Sequence, residues 1–174
     1  MIVQLPQELV HEKFFFSDRI EIENFITEKW NPDFNPTLFV YDMLYWNGGQ
    51  GFQPWQQGFI TIPVLFEKWK ELADSCRIIF AERRQNEAEM FMKKGMAFFF
   101  QVVFWMNEQP VVLHNWHEQI NRLSVKPINV AERLSFVNTS PAHYASFIQL
   151  TELFLEAEKQ FYKTLAMKKR NQQK

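Results

Sequence analysis

Residues Gly95 to Met106 read Gly-Met-Ala-Phe-Phe-Phe-Gln-Val-Val-Phe-Trp-Met, a nearly unbroken apolar run between Lys93-Lys94 and Asn107-Glu108. As a helix this run would be about 18 Å long, well short of the roughly 30 Å of bilayer hydrocarbon. It therefore predicts a helix over 88–107 that is buried on most sides by the rest of its own chain. Other helices have to wrap around it.

The 174 residues suffice for a single domain with a sizeable core. Hydrophobic residues at 47% and charged residues at 22% exclude a disordered or low-complexity chain. Aromatic content is high, at 17%, with 19 Phe and 6 Trp, so the core is expected to be built on rings. A formal net charge of -1 argues against a general electrostatic grip on nucleic acid or acidic membranes. Cys76 is the sole cysteine, which rules out an intramolecular disulfide and fits a reducing compartment. The N-terminal residues show no basic segment ahead of an apolar one, and the expectation is a cytoplasmic protein without a membrane span.

Helical periodicity dominates. Asp18 and Glu21 have capping-box spacing, and Ile22, Phe25, Ile26 and Trp30 share one face, predicting a helix over 18–30 that stops at Asn31-Pro32. Asn35-Pro36 predicts a second start, followed by Leu38, Phe39, Val40, Met43, Leu44 and Trp46, with Asp42 as its only charge. Four glycines and Pro54 mark 47–58 as a loop. Thr61 is the expected cap of a long third helix striped by Leu65, Phe66, Trp69, Leu72, Ala73, Cys76, Ile79 and Phe80. On its other face Glu67 pairs with Lys70, and Lys70 with Asp74. A break is expected near Gln85 or Asn86, before the central helix, inside which Gly95 would permit close backbone approach. Short helices follow over 114–123 and 129–137, the latter opened by Asn129 and Glu132. Ser140-Pro141 opens a final long helix. Short runs such as 58–62 are ambiguous, and no alternating strand of useful length is expected. The class is all-α: one helical domain over 1–174, about six helices around a central apolar one, with 166–174 as a basic, frayed tail.

Complete chemical motifs are missing. His114 and His117 stand three apart beside Glu118 and would face one ion if the segment were helical, but zinc needs three or four ligands. Di-metal bundles need Glu-x-x-His on two helices, and only Glu8-Leu9-Val10-His11 fits. Gly48, Gly49 and Gly51 lack the Lys-Ser/Thr of a phosphate loop. Asp42 and Arg133, single charges in apolar segments, are expected to pair; alternatively Asp42 faces a cleft as an acid or base. Cys76 on an apolar stripe is expected to be an inert, buried thiol. No catalytic residue, cofactor or metal is assigned.

Two features point to partners instead. Tyr45, Trp46, Phe52, Trp55 and Phe59 crowd the glycine loop, where they either form a partner-binding surface or fold back over the core. From Lys159 onward the chain carries Lys163, Lys168, Lys169, Arg170 and Lys174 without an acidic residue, which suits a helix C-terminus and leaves nucleic acid as an alternative partner.

The segment Lys126-Pro127-Ile128-Asn129-Val130-Ala131-Glu132-Arg133-Leu134-Ser135-Phe136 resembles the YpoC-like family of small uncharacterised Gram-positive proteins, and the Tyr41-Asp42-Met43-Leu44 region is compatible with it. The resemblance implies a helical cytoplasmic protein and carries over no catalytic residue. The expected role is a non-enzymatic interaction or accessory factor for another protein, with a metal enzyme using His114, His117 and Glu118 as the rival.

Overall fold

The computed structural model describes residues 1–22, 28–33 and 37–174. Among these, two short strands precede six α-helices: β1 (Ile2–Gln4), β2 (Arg19–Glu21), α1 (Val40–Trp46), α2 (Gly58–Ala81), α3 (Gln85–Trp105), α4 (Trp116–Asn121), α5 (Val130–Thr139) and α6 (Tyr144–Gln172). The architecture is all-α, as the periodicity predicts. No helix among the described residues is long and apolar enough to cross a membrane.

The apolar run occupies most of α3, and Phe99, Phe100, Val102, Val103, Phe104 and Trp105 are each at most 1% exposed. Helices α2 and α3, joined by only residues 82–84, form an antiparallel pair. Helix α6 packs on both, and α5 bridges α6 to α4. Gly95 supplies the expected close approach: its Cα faces the Trp69 ring of α2. Trp69 in turn stacks on Phe154 of α6 at 4.6 Å and 7°.

Helix ends are set by turn geometry more than by side-chain caps. Arg83 takes a left-handed conformation (φ 57°), its amide bonding the Phe80 carbonyl and the Arg84 amide the Ile79 carbonyl. That is a Schellman ending with arginine where glycine is usual. Glu108 (φ 59°) closes α3 in the same way, with its amide on Trp105 and that of Gln109 on Phe104. Gly48 (φ 73°) does so for α1.

Several local expectations are corrected. Residues 19–21 form β2, antiparallel to β1 with Val3 opposite Ile20, rather than the start of a helix. The isoleucines of that segment follow the two-residue alternation of a ribbon, which here overrides the capping-box spacing. Residues 23–27 of the expected first helix and the Asn35-Pro36 start lie outside the described residues. Helix α2 begins at Gly58 instead of Thr61, so the ambiguous run 58–62 is helical. Helix α4 covers only Trp116–Asn121, and His114 lies outside it. The N-caps Asn129 of α5 and His143 of α6 make no side-chain cap hydrogen bond. Lys70 pairs with Glu67 and reaches across to Glu158, while Asp74 pairs with Arg77.

Candidate functional site

The loop before α2 is folded onto the helix it precedes. Pro54–Gln57 form a 3-10 turn, and the buried Thr61 hydroxyl donates to the carbonyls of Pro54 (2.9 Å) and Gln57 (3.3 Å). This stitch drives the Trp55 ring into the core, at 3% exposure, and leaves Phe59 on the first turn of α2 at 61%. No side chain caps that turn and no acidic residue stands in it. Pro63 has no N–H to give the Phe59 carbonyl.

Beside Phe59 opens a groove of about 450 Å³. Its walls include Trp55 from the 3-10 turn and Ile62 from the start of α2, Trp105 and Met106 from the end of α3, and Phe161 and Leu165 from α6. Glu108, Lys168 and Lys169 stand at its edge. Lys168 Nζ lies 2.9 Å from Glu108 Oε1, both side chains being more than half exposed, so the pair is readily exchanged for another. The groove joins two features that lie a hundred residues apart in the chain, the aromatic loop and the basic end. The contribution of α6 was not assigned from sequence. Its signal is the helical spacing of Phe161, Leu165, Lys168 and Gln172, an apolar stripe running straight into a polar one.

The five loop aromatics separate into different roles. Tyr45 meets Trp46 and Trp55 edge-on at 5.1 Å each. Trp46 donates its indole N–H to the Val111 carbonyl at 2.9 Å. Phe52 packs against Trp30 and Tyr41. Of the five, Phe59 is the most exposed and Tyr45, at 38%, the next.

Asp42 does not pair with Arg133. Its Oδ1 accepts from the Val111 amide (2.7 Å) and the Trp105 indole (3.0 Å), tying α1 to the end of α3 and the segment beyond it. Oδ2 is buried without a hydrogen-bond partner. Burial pushes the carboxyl up to about 6, against the pull of Val111, Trp105, its own amide and Gln101. Arg133 instead bonds Glu156 at 2.9 Å and the Ile128 carbonyl at 3.1 Å. At 0% exposure Asp42 meets no cleft and acts as a structural tie.

The residues suggested for metal chemistry are parted. His114 faces Gln7 at 3.4 Å, His117 stacks on Trp116 and faces Ser135 at 3.3 Å, and Glu118 pairs with Arg122. Among the described residues no three His, Cys, Asp or Glu side chains come together as a cation site. His11 is buried on Phe14, and burial lowers it to about 4. Cys76 is fully buried, with its thiol pushed up to about 11.

The family model described as YpoC-like protein matches residues 60–169. The chain is 36% identical over 119 residues to the uncharacterized protein YpoC of Bacillus subtilis (strain 168), covering 68% of this chain and 73% of that protein. No solved structure matches.

Proposed function

The chain belongs to the YpoC-like family, and from there we propose a non-enzymatic interaction factor that seats a segment of another protein in the groove between α2, α3 and α6. One observation carries the reading: Phe59, largely exposed, stands over an apolar groove with lysines at its edge. An exposed ring beside a groove with aromatic walls is the arrangement of an interface anchor. The groove's charged groups are amines and one carboxylate already paired to an amine, a set suited to holding a ligand. We place the protein in the cytoplasm, a location supported by a single cysteine buried as a thiol.

The test compares affinity capture from native lysate by the wild-type chain and by Phe59→Glu. Captured proteins are then remade and titrated against both. The expected outcome is a partner whose affinity falls at least tenfold with Phe59→Glu, while the urea midpoint of the chain is unchanged. Equal capture by both chains, or none by either, overturns the proposal.

A further inference from the structure

We propose that the occupant of this groove is an acidic amphipathic peptide segment, its bulky apolar side chains in the groove and its carboxylates on Lys168 and Lys169. This rests on the docking reading above and adds the chemistry of the partner.

Charge is the first support. Six of the chain's 19 basic residues and none of its 20 acidic ones fall within 159–174, so the rest of the molecule is acidic while the end bearing the groove is basic. Six cations exceed what the half-charge of a helix C-terminus calls for. Lys168 and Lys169 at the groove's edge favour a carboxylate. Glu108 opposes it, but Lys168 already neutralises Glu108 in an exposed pair that an incoming carboxylate can share.

Shape is the second support. Eight of the fifteen lining residues are apolar or aromatic, with Gln56, Thr164 and Gln172 among the polar ones, and about 450 Å³ suits a few large side chains from one face of a peptide. A nucleic acid fits less well. Only Lys168 and Lys169 are available at the edge for phosphates, and Glu108 stands among them.

The test selects short random peptides displayed on phage against the full chain, keeping clones that lose binding to Phe59→Glu. Those clones are expected to be rich in Asp and Glu around Leu, Phe or Trp. As synthetic peptides they should bind about tenfold more weakly to the Lys168→Glu/Lys169→Glu double variant, and more weakly still as salt rises. The single variant Lys169→Glu, which leaves the Lys168–Glu108 pair in place, should show part of the loss. Groove-dependent peptides without acidic enrichment, or indifferent to charge reversal, overturn the acidic occupant and leave the docking reading standing. Recovery of no Phe59-dependent clone overturns both. Displacement of the peptides by oligothymidylate at comparable concentration, abolished by charge reversal, would assign the groove to nucleic acid and overturn the proposal.

Discussion

A Cβ added to Gly95 would fall 2.4 Å from Cζ3 and 2.8 Å from Cε3 of Trp69. Because Trp69 lies flat on Phe154, this single indole joins α2, α3 and α6. The glycine is therefore a packing requirement, and its backbone freedom is incidental.

Gly95→Ala tests that requirement. Alanine would gain roughly 1 kcal/mol of helix propensity in α3. Overpacking a full core costs about 1–3 kcal/mol, and here the ring has no room to retreat from Phe154. Urea unfolding is expected to show a net loss of up to about 2 kcal/mol. The same change in a Trp69→Leu background should cost less, a coupling read by the double-mutant cycle. A stabilised Gly95→Ala protein would contradict the contact.

Asp42 and His11 predict opposing pH dependences. The carboxyl of Asp42 lies at about 6 when folded against an ordinary 3.8. The folded state thus holds a proton the unfolded chain releases, and stability falls as pH rises between about 4 and 6. A displacement of some two pH units is on the order of 3 kcal/mol. His11, at about 4 when folded against 6.5, has the opposite sign: stability falls as pH drops from 6.5 toward 4. Burial is its main cause; Lys13, His117 and Lys93 lower it further, and Glu12 raises it. The two slopes largely cancel in the wild type. Asp42→Asn keeps an oxygen for Val111 and Trp105 and removes the first slope. Its stability should climb steeply from pH 4 to 6.5 and match or exceed the wild type at pH 7.5. Asp42→Ala orphans two buried donors and should lose about 2–4 kcal/mol at every pH.

Arg83→Gly should stabilise. Arginine at φ 57° carries the left-handed penalty that glycine avoids, about 1 kcal/mol. In thermal melts the midpoint is expected to rise by a few degrees. An unchanged midpoint would mean that arginine bears no strain there.

The same residues explain which parts of the fold were legible. The central helix, the stripe of α2 and the long α6 follow from periodicity extended over many turns, and Gly95 inside an apolar run announces a close approach. The stops of α2 and α3 both fall within a few residues of where the spacing places them, but Arg83 and Glu108 make them through local left-handed turns without glycine, a detail that residue-type rules do not give. Residues 18–22 carry capping-box spacing (Asp18, Glu21) and two-residue alternation (Ile20, Ile22) at once, and only pairing with Ile2–Gln4 decides between them. Asp42 reads as a charge that needs a charge. Its partners are in fact an indole and a backbone amide 63 and 69 residues away, a solution that no local spacing encodes. The groove is half legible in the sequence, because the aromatic loop and the basic end each stand out there but their adjacency depends on how α6 folds back.

Cys76 provides a probe of opening. With its thiol fully buried and pushed up to about 11, it should resist Ellman's reagent at pH 8 in the native protein. Labelling is expected only as fast as the packing around α2 opens, and Gly95→Ala should accelerate it by the factor that its urea destabilisation dictates. Rapid labelling of the wild type would count against a closed α2 stripe.

Phe39, Asn115 and Asn129 each precede a helix in a left-handed conformation, and none of the three caps its helix through its side chain. Phe39 is also 1% exposed and packs edge-on against Phe14. Asparagine tolerates that conformation, but for the bulky Phe39 it is strained and disfavours local nucleation of the helix that follows. Helix α1, seven residues long, thus comes into existence only when distant rings have already assembled beneath it, and a peptide excised around Val40–Trp46 would be coil in water.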